Sequence, residues 1–427
     1  MINRVQKIIF GGLGFTATTS ILVFPILGLY IKVFNVIFAI AFVFLILDKR
    51  KRISRYDLDN KYLLWMLIAL LSSLFGALYF MELEEFQTAV LSYIPKIILY
   101  TIFYLLLRYS WNGVAISSCL CKGLLYGCVF NLLWAIIDAL LYYSIGKSIT
   151  NNLFASYLTA ADIRYNQASL IIGGTIRACG INYDPANIGL FAPIVALYGL
   201  KKHSYLIYGL SVVSIFASLS HTAFAGIIIV TLYYLYTSRH KIVALFSFVA
   251  VIAVAFIVFS FFKNDATLQM AEAFIERTEQ KADGGEIQGN RGEYWLNFIP
   301  AAIHQPSALI IGTGYYTASY PYLKNNLTRH EIEPYDPEQT YFATYFDVGL
   351  IGFIIFMGLL YGLYSRSKLQ ADLGIEHHII IHAGVVGSAV AFLGYHYTLY
   401  SVVMLIIIAG IVLCDKRLFR ASLKMKI

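Results

Sequence analysis

A long polar stretch, roughly residues 263–340, interrupts a sequence that is otherwise almost continuously apolar. It lies between two apolar runs that each have the length needed to cross a lipid bilayer. The stretch must therefore form a sizeable region on one face of a membrane. Any chemistry that this chain performs is expected in that region.

The composition favours a membrane protein built from helices. The 427 residues are 59% hydrophobic and 13% charged, which leaves too few charges to cover a soluble surface. Runs such as Ile242 to Phe262 are apolar on every face, whereas outer-membrane strands alternate in polarity with period two. The sequence therefore predicts an all-α polytopic membrane protein.

Apolar runs predict about twelve transmembrane helices and a large, partly helical periplasmic loop. Helices 1–9 fall in residues 1–262, with an outer loop at about 144–186, and the large loop takes residues 263–340. Residues 341–427 hold helices 10–12 and a cytoplasmic tail. The predicted spans are 8–25, 29–47, 61–80, 88–107, 114–143, 187–200, 205–219, 222–237, 242–262, 341–364, 379–397 and 398–413. Some of these runs are short or closely spaced, so eleven or thirteen spans also fit.

The distribution of basic residues gives the orientation. With the N-terminus inside, about 20 of the 32 lysines and arginines fall in inner segments, as the positive-inside rule requires. Both termini are therefore predicted to be cytoplasmic, and the long loop is predicted to face outward. The net charge of +8 follows from this bias and does not indicate nucleic-acid binding. The five cysteines form neither a disulfide framework nor a zinc spacing.

Two arginines in the outer segments are candidates for phosphate binding. Arg177 lies just before an Asp-Pro pair that predicts the start of a helix. Its guanidinium has two interpretations, contact with lipid headgroups or binding of a substrate phosphate. Arg291 falls in the first turn of a helix predicted to be capped by Asn290, where backbone N–H groups already favour an anion. Glu293 is the alternative partner for the Arg291 side chain.

Two further residues are candidates for acid-base chemistry. Glu338 lies in the first turn of a helix predicted after the long loop, where the helix dipole alone also explains a carboxylate. His221 lies at another outer helix start, where a histidine often caps or packs. Acidic residues in the outer loops are scattered, with no Asp-x-Asp pair, so neither a metal nor a cofactor is expected.

The order of these features resembles the O-antigen polymerase and O-antigen ligase superfamily, over roughly residues 165–365. The matching features are Arg177 before a re-entering helix, the turn Ser218 to Phe224, Arg291 four residues before Trp295, Gly312 with Gly314, and the closing Gly349 to Gly352. The resemblance implies a metal-independent glycosyltransferase at the outer face of a bacterial inner membrane. Its substrate would be an undecaprenyl-diphosphate-linked oligosaccharide.

The resemblance also implies roles for the candidate residues. Arg177 and Arg291 would hold the diphosphate, because guanidinium groups bind phosphate oxygens bidentately. Glu338 is the preferred general base for the attacking sugar hydroxyl, and His221 would assist or serve as the base itself. Membrane lipid is an expected partner, a chain-length regulator protein is a candidate partner, and nucleic acid is not a partner.

The chain departs from the superfamily pattern at two positions, and the departure at Glu338 selects among its members. Ligases carry a histidine where this chain has Glu338, although Gln339 and the pair Gly349 and Gly352 keep the expected spacing. Relatives often carry arginine where this chain has His221. The sequence therefore favours an O-antigen repeat-unit polymerase (Wzy) over a ligase that transfers glycan to lipid A-core.

A secondary transporter or a flippase for lipid-linked sugars is the alternative from another class. Such proteins place functional charges within the membrane, near the bilayer midplane or around a central cavity. Lys96, Lys122 and Asp138 are the main charged residues within predicted spans, whereas the other suggestive polar groups cluster outside. This distribution favours the polymerase.

Overall fold

The computed structural model describes residues 4–19, 22–26, 29–51, 56–154, 170–172, 175–182, 186–238, 249, 310–315, 340–394 and 399–415. These residues are mostly helical and form an all-α membrane protein with two short hairpins. The predicted span at 242–262 lies outside the described residues, as does most of the polar stretch at 263–340.

The described elements follow the chain in this order. They are α1 (Arg4–Ala17), β1 (Val23–Ile26), β2 (Leu29–Lys32), α2 (Val33–Leu47), α3 (Asp57–Tyr79), α4 (Glu84–Tyr109), α5 (Gly113–Ile145), β3 (Leu170–Ile172), β4 (Thr175–Arg177), α6 (Ala186–Lys201), α7 (Tyr205–Ser218), α8 (His221–Thr237), α9 (Thr340–Ala371), α10 (Glu376–Ala391) and α11 (Ser401–Leu413).

Four of the described helices, α3, α4, α5 and α9, are long and apolar enough to cross a membrane. Helices α4, α5 and α9 each contain a predicted span, and α3 covers all but the last residue of the span at 61–80. The shorter described helices also coincide with predicted spans for most of their length. How many of the shorter helices cross the bilayer, and in which direction, stays a prediction.

The start of the chain differs from the two spans predicted at 8–25 and 29–47. Helix α1 ends at Ala17, and β1 pairs antiparallel with β2, with Val23 opposite Lys32. The hydroxyl of Thr18 donates to the carbonyl of Phe15 at 2.7 Å and so satisfies an acceptor in the last turn of α1. Pro25 offers no backbone N–H and is a poor helix residue, which favours the hairpin.

The chain divides into two compact units. The first comprises Met1–Leu47, Val114–Gln280 and Ser367–Ala391. Within it, α6 packs against α7, α8 and α10, and residues 187–200 are buried without exception. A helix surrounded in this way needs an apolar residue on every face. This explains why so short a helix has so uniformly apolar a sequence.

The second unit comprises Asp48–Gly113, Lys281–Arg366 and Phe392–Ile427. Here α3 packs against α4, which also contacts α11. The buried guanidinium of Arg108 donates to Asp59 at 2.9 and 3.1 Å and to Asp415 at 2.6 Å. Tyr104 donates a further hydrogen bond to Asp59. Buried charges are tolerated when paired in this way, so the cluster fixes the ends of three helix segments against one another.

Candidate functional site

Arg177 is the candidate residue that the structure describes most fully. It ends strand β4 and lies opposite Leu170 of β3 in an antiparallel pair. Its side chain is partly buried, while the backbone from Ala178 to Asn182 is enclosed by the first unit. We refer to residues 176–182 as the arginine turn.

Three hydrogen bonds fix the backbone of the arginine turn. The N–H of Ile176 donates to the hydroxyl of Tyr143 at 3.3 Å, and that of Ala178 donates to the carbonyl of Ala217 at 2.9 Å. The N–H of Ile181 donates to Oδ1 of Asn131 at 2.9 Å. These bonds lie on both sides of Arg177 and come from α5 and α7. The Arg177 side chain therefore projects from an anchored backbone.

Asn131 supports the arginine turn, and the sequence did not single it out. Its side chain is fully buried in the middle of α5. Its amide nitrogen donates to the carbonyl and hydroxyl of Thr18 at 3.0 and 3.1 Å and to the carbonyl of Gly127 at 2.8 Å. Its Oδ1 also accepts from the side chain of Asn182 at 2.7 Å. Asparagines inside apolar helices commonly bond to neighbouring segments, and this was the available sequence signal.

Close backbone contacts complete the arginine turn. Gly180 has a φ of +70°, and a Cβ there would lie 2.8 Å from the carbonyl and side-chain oxygens of Asn131. Only glycine easily adopts this positive φ and also leaves room for the oxygens of Asn131. The thiol of Cys179 donates to the carbonyl of Asn182 at 2.7 Å, which gives this buried cysteine a structural role.

The turn between α7 and α8 lies next to the arginine turn. Ala217, which accepts from Ala178, lies four residues before His221. Ser220 caps α8 by accepting from the N–H of Ala223 at 3.3 Å. Only the backbone position of His221 is described, at the first residue of α8. The structure thus brings the backbone of Arg177 close to the helix start that carries His221.

Asp138 has a structural role in the first unit. Its carboxylate accepts from the hydroxyl of Ser148 at 3.0 and 3.1 Å and from the N–H of Thr150 at 3.1 Å. Ser148 itself accepts from the N–H of Asn151 at 3.1 Å, as the N-cap of residues 149–154 does. Asp138 therefore supports a helix start beside α5, which differs from the role expected in a transporter.

The second unit contains a non-helical segment that crosses a break in α9. Gly349 interrupts α9 with φ 69° and ψ 179°. The N–H of Thr313 donates to the carbonyl of Phe346 at 2.9 Å, and that of Gly314 donates to the carbonyl of Asp347 at 3.0 Å. We refer to residues 312–314 as the glycine turn. Gly312 and Gly314 belong to the features on which the resemblance rests, and both glycines have positive φ.

The glycine turn can pack closely against α3 because glycines on both sides of the contact carry no side chain. A Cβ on Gly76 of α3 would meet the carbonyl of Thr313, and one on Gly312 would lie 2.6 Å from the Ser72 hydroxyl. That hydroxyl donates to the carbonyl of Asp347 and accepts from the N–H of Gly314 at 3.0 Å. Non-helical backbone at membrane depth requires such internal partners. The glycine turn, which belongs to the polar stretch at 263–340, is thereby fixed against α3 and α9.

The structure does not describe the other two candidate site residues. Arg291 and Glu338 lie outside the described residues, so the predicted grouping of the two arginines stays a prediction. Tyr315, which directly follows the glycine turn, is fully buried against Tyr93. Among the residues that the structure describes, no group of three metal-ligating side chains is found.

Comparison with known proteins gives one match. Residues 206–357 match the family model described as O-antigen ligase, which covers about a third of the chain. The matched segment includes His221, Arg291 and Glu338, and it begins after Arg177. No curated protein matches the chain.

Proposed function

Starting from the premise that residues 206–357 carry the signature of the O-antigen polymerase and ligase superfamily, we propose that the chain is a repeat-unit polymerase. It transfers a glycan from undecaprenyl diphosphate to a lipid-linked repeat unit at the outer face of the bacterial inner membrane. The observation that carries the proposal is the arginine turn, which is anchored beside the start of the matched segment.

The transfer is a substitution at the anomeric carbon of the donor glycan. A hydroxyl oxygen of the acceptor sugar forms the new bond to that carbon, while the bond from the carbon to the diphosphate oxygen breaks. The bonding electron pair leaves with the diphosphate, and the hydroxyl proton passes to a general base. Catalysis therefore needs cations at the leaving group and a base at the acceptor hydroxyl.

The proposed roles follow this requirement. Arg177 and Arg291 bind the diphosphate oxygens and stabilise the charge that develops on them. Glu338 takes the proton, because a carboxylate is ionised at neutral pH. His221 binds the diphosphate or assists the proton transfer. The anchored backbone of Arg177 supports this assignment, because a cation held in place before the reaction loses little freedom during it.

The alternative within the superfamily is an O-antigen ligase, which transfers the polymer to lipid A-core. The matched family model does not distinguish a ligase from a polymerase, and Glu338 at the place of the ligase histidine favours the polymerase. A flippase or transporter has less support. Lys122 pairs with Glu376 at 2.6 Å and Asp138 supports a helix start, so both charges have structural partners.

The test is the surface glycan made by cells that carry variants of this protein. Cells without the protein should attach single repeat units to the anchor, whereas loss of a ligase would leave bare anchor and accumulated lipid-linked polymer. Arg177→Ala should reproduce the single-repeat pattern at normal protein abundance, with a loss of chain extension of at least about a hundredfold.

Two further variants complete this test. Arg177→Lys should retain part of the activity, because it keeps the charge and loses the bidentate geometry. Arg4→Ala, which alters an exposed arginine at the start of α1, is the matched control and should give the normal ladder. A normal ladder from Arg177→Ala would remove Arg177 from the mechanism, and bare anchor in the deletion strain would reassign the protein as a ligase.

A further inference from the structure

Lysines from separate segments of the first unit lie around Glu376, the first residue of α10. The ammonium of Lys122 on α5 lies 2.6 Å from the Glu376 carboxylate, and both side chains are partly exposed. The hydrogen bond from Lys122 lowers the pKa of Glu376, burial opposes this shift, and the charges of Lys202 and His377 add to it. Lys202, which directly follows α6, is therefore close enough to act on the same carboxylate.

Helix α1 adds a third lysine on the same side of α5. Cys119 lies one turn before Lys122 and is within electrostatic range of both Lys122 and Lys7. The exposed Lys7 lies one turn before Gly11, whose carbonyl a Cβ on Gly123 of α5 would meet. This close approach fixes α1 against α5. We refer to Lys7, Lys122 and Lys202 as the lysine cluster.

The lysine cluster lies at the end of the first unit that is opposite the arginine turn. Lys202 directly follows the last residue of α6, whereas the arginine turn ends before the first. The 16 residues of α6 make it about 24 Å long. Three like charges brought together from separate segments repel one another, and Glu376 offsets only part of that repulsion. The cluster is therefore suited to an anion that is not bound at the candidate transfer site.

An exposed apolar stripe on α5 begins one turn after Lys122. Its members return to the same face of the helix at spacings of three, four and seven residues. They are Tyr126, Leu133, Ile137 and Leu140, each at least 44% exposed. From Lys122 to Leu140 the helix rises about 27 Å, which exceeds the thickness of about 15 Å of one hydrocarbon leaflet. An acyl chain can therefore lie along the stripe when its headgroup contacts Lys122.

We propose that the lysine cluster binds the headgroup phosphate of an anionic phospholipid, with an acyl chain along the exposed stripe of α5. The lysine ammonium groups donate hydrogen bonds to the phosphate oxygens, and basic pockets between transmembrane helices bind anionic headgroups in this way. Glu376 orients Lys122 and also repels the phosphate. A free phosphate ion offers the same oxygens, but it makes no use of the stripe. This inference does not depend on the proposed function.

Binding of phosphatidylglycerol to the full-length protein tests the proposal. The lipid is titrated into the protein in a neutral detergent, and bound lipid is counted by native mass spectrometry. Lys122→Gln should weaken binding about fivefold, and replacement of all three cluster lysines by glutamine about a hundredfold. Lys122→Arg keeps the charge and should retain most of the affinity. Lys147→Gln, which alters an exposed lysine just beyond the other end of α5, is the matched control and should bind normally.

Glu376→Gln separates a phosphate site from a purely structural ion pair. This substitution removes a negative charge beside the phosphate, so it should strengthen binding of phosphatidylglycerol several-fold. Weaker binding would mean that the pair only positions Lys122, and the proposal would be overturned. Unchanged affinity in Lys122→Gln also overturns it, as does an equal loss in Lys147→Gln. These single variants decide the question even where the triple variant does not fold, which thermal unfolding reveals.

A second arm identifies the source of the phosphate. Excess inorganic phosphate should leave most of the phosphatidylglycerol bound, and short-chain phosphatidylglycerol should bind more weakly than the long-chain lipid. Complete displacement by inorganic phosphate, or equal binding of both chain lengths, would show that the stripe has no part and would overturn the lipid assignment. Undecaprenyl phosphate is the third probe. Tighter binding of this carrier lipid, lost in Lys122→Gln, would overturn the assignment to an ordinary phospholipid.

Discussion

The arginine turn and the glycine turn are both short non-helical segments packed among helices, yet the contacts that dominate each of them differ. Side chains bind the arginine turn, since Asn131 and Tyr143 supply acceptors for its backbone. The glycine turn depends on missing side chains, since backbone atoms of α9 approach it closely. The first turn should therefore be sensitive to the loss of a polar group, and the second to the addition of a methyl group.

The largest effect is expected at Gly349, where α9 breaks against the glycine turn. Gly349→Ala places a Cβ 2.5 Å from the carbonyl carbon of Ile310 and forces alanine to adopt a φ of 69°. Backbone strain and overpacking together should lower the free energy of unfolding by roughly 3 kcal/mol or more. Thermal unfolding in detergent measures this loss.

The matched control for this variant lies on the same helix. Gly358 has no atom within 4 Å of an added Cβ, and alanine has the higher helix propensity. Gly358→Ala should therefore be neutral or slightly stabilising. Equal stability of the two alanine variants would show that the break in α9 does not depend on glycine, and the contrast between the turns would lose its basis.

The next largest effect is expected at Asn131, which anchors the arginine turn. Asn131→Leu removes the acceptor of Ile181 and the partners of Thr18 and Asn182, so several buried polar groups lose a hydrogen bond. The expected loss is about 2–3 kcal/mol. Ser117→Ala on the same helix is the control, because the buried Ser117 hydroxyl has no hydrogen-bond partner among the residues that the structure describes. That variant should unfold at the original temperature.

Activity measurements distinguish positioning by Asn131 from general stability. Asn131→Asp keeps the shape and the acceptor oxygen and loses the amide donors. If Asn131 acts by placing Arg177, this substitution should lower turnover in the original protein and have little further effect in Arg177→Lys. Equal losses in both backgrounds would mean that Asn131 only stabilises the unit.

A smaller effect is expected at Tyr143, the other α5 residue that bonds to the arginine turn. Tyr143→Phe removes one hydrogen bond of 3.3 Å to Ile176 and keeps the ring. We expect a loss of about 1 kcal/mol and a KM for the lipid-linked donor raised about threefold. Tyr142→Phe alters the neighbouring ring, which packs edge-on against Tyr143, and should leave KM unchanged. Identical kinetics for both variants would limit the anchoring role to Asn131.

The same contrast explains what the sequence could predict. Long apolar runs predicted α3, α4, α5 and α9 because each helix shows its own length and composition. The hairpin of β1 and β2 was missed because an apolar strand and an apolar helix end look alike over a few residues. The helical nature of the short run at 187–200 was predicted, but its enclosure by three helices was not.

The candidate site was predictable only in part. Arg177 and the glycine turn were visible because an arginine at a membrane edge and paired glycines stand out locally. The residues that hold Arg177 and the glycine turn in place could not be predicted from the sequence. Asn131 bonds to residues 113 and 51 positions away in the chain, and Gly312 fits beside Asp347 only in three dimensions. Such pairings follow from tertiary packing, which spacing within one segment cannot reveal.

The smallest effect is expected at an exposed ion pair, which provides the baseline for both buried turns. The Lys122 ammonium lies 2.6 Å from Glu376, and both side chains are about two-fifths exposed. Its hydrogen bond holds the pKa of Glu376 below the ordinary value of 4.5. A carboxyl with a lowered pKa stabilises the folded state above that ordinary value, and the contribution is lost as the pH falls through the lowered pKa.

Solvent screening limits this contribution to at most about 0.5 kcal/mol. Glu376→Gln should therefore lower the unfolding temperature slightly at pH 7, and the difference should vanish as the pH falls through the lowered pKa of Glu376 and the carboxylate is protonated. Added salt should also reduce the difference, because it screens exposed charges. A loss at pH 7 as large as that of Asn131→Leu would mean that surface charge stabilises the first unit as much as the buried amide does. The arginine turn would then depend on more than its side-chain anchors.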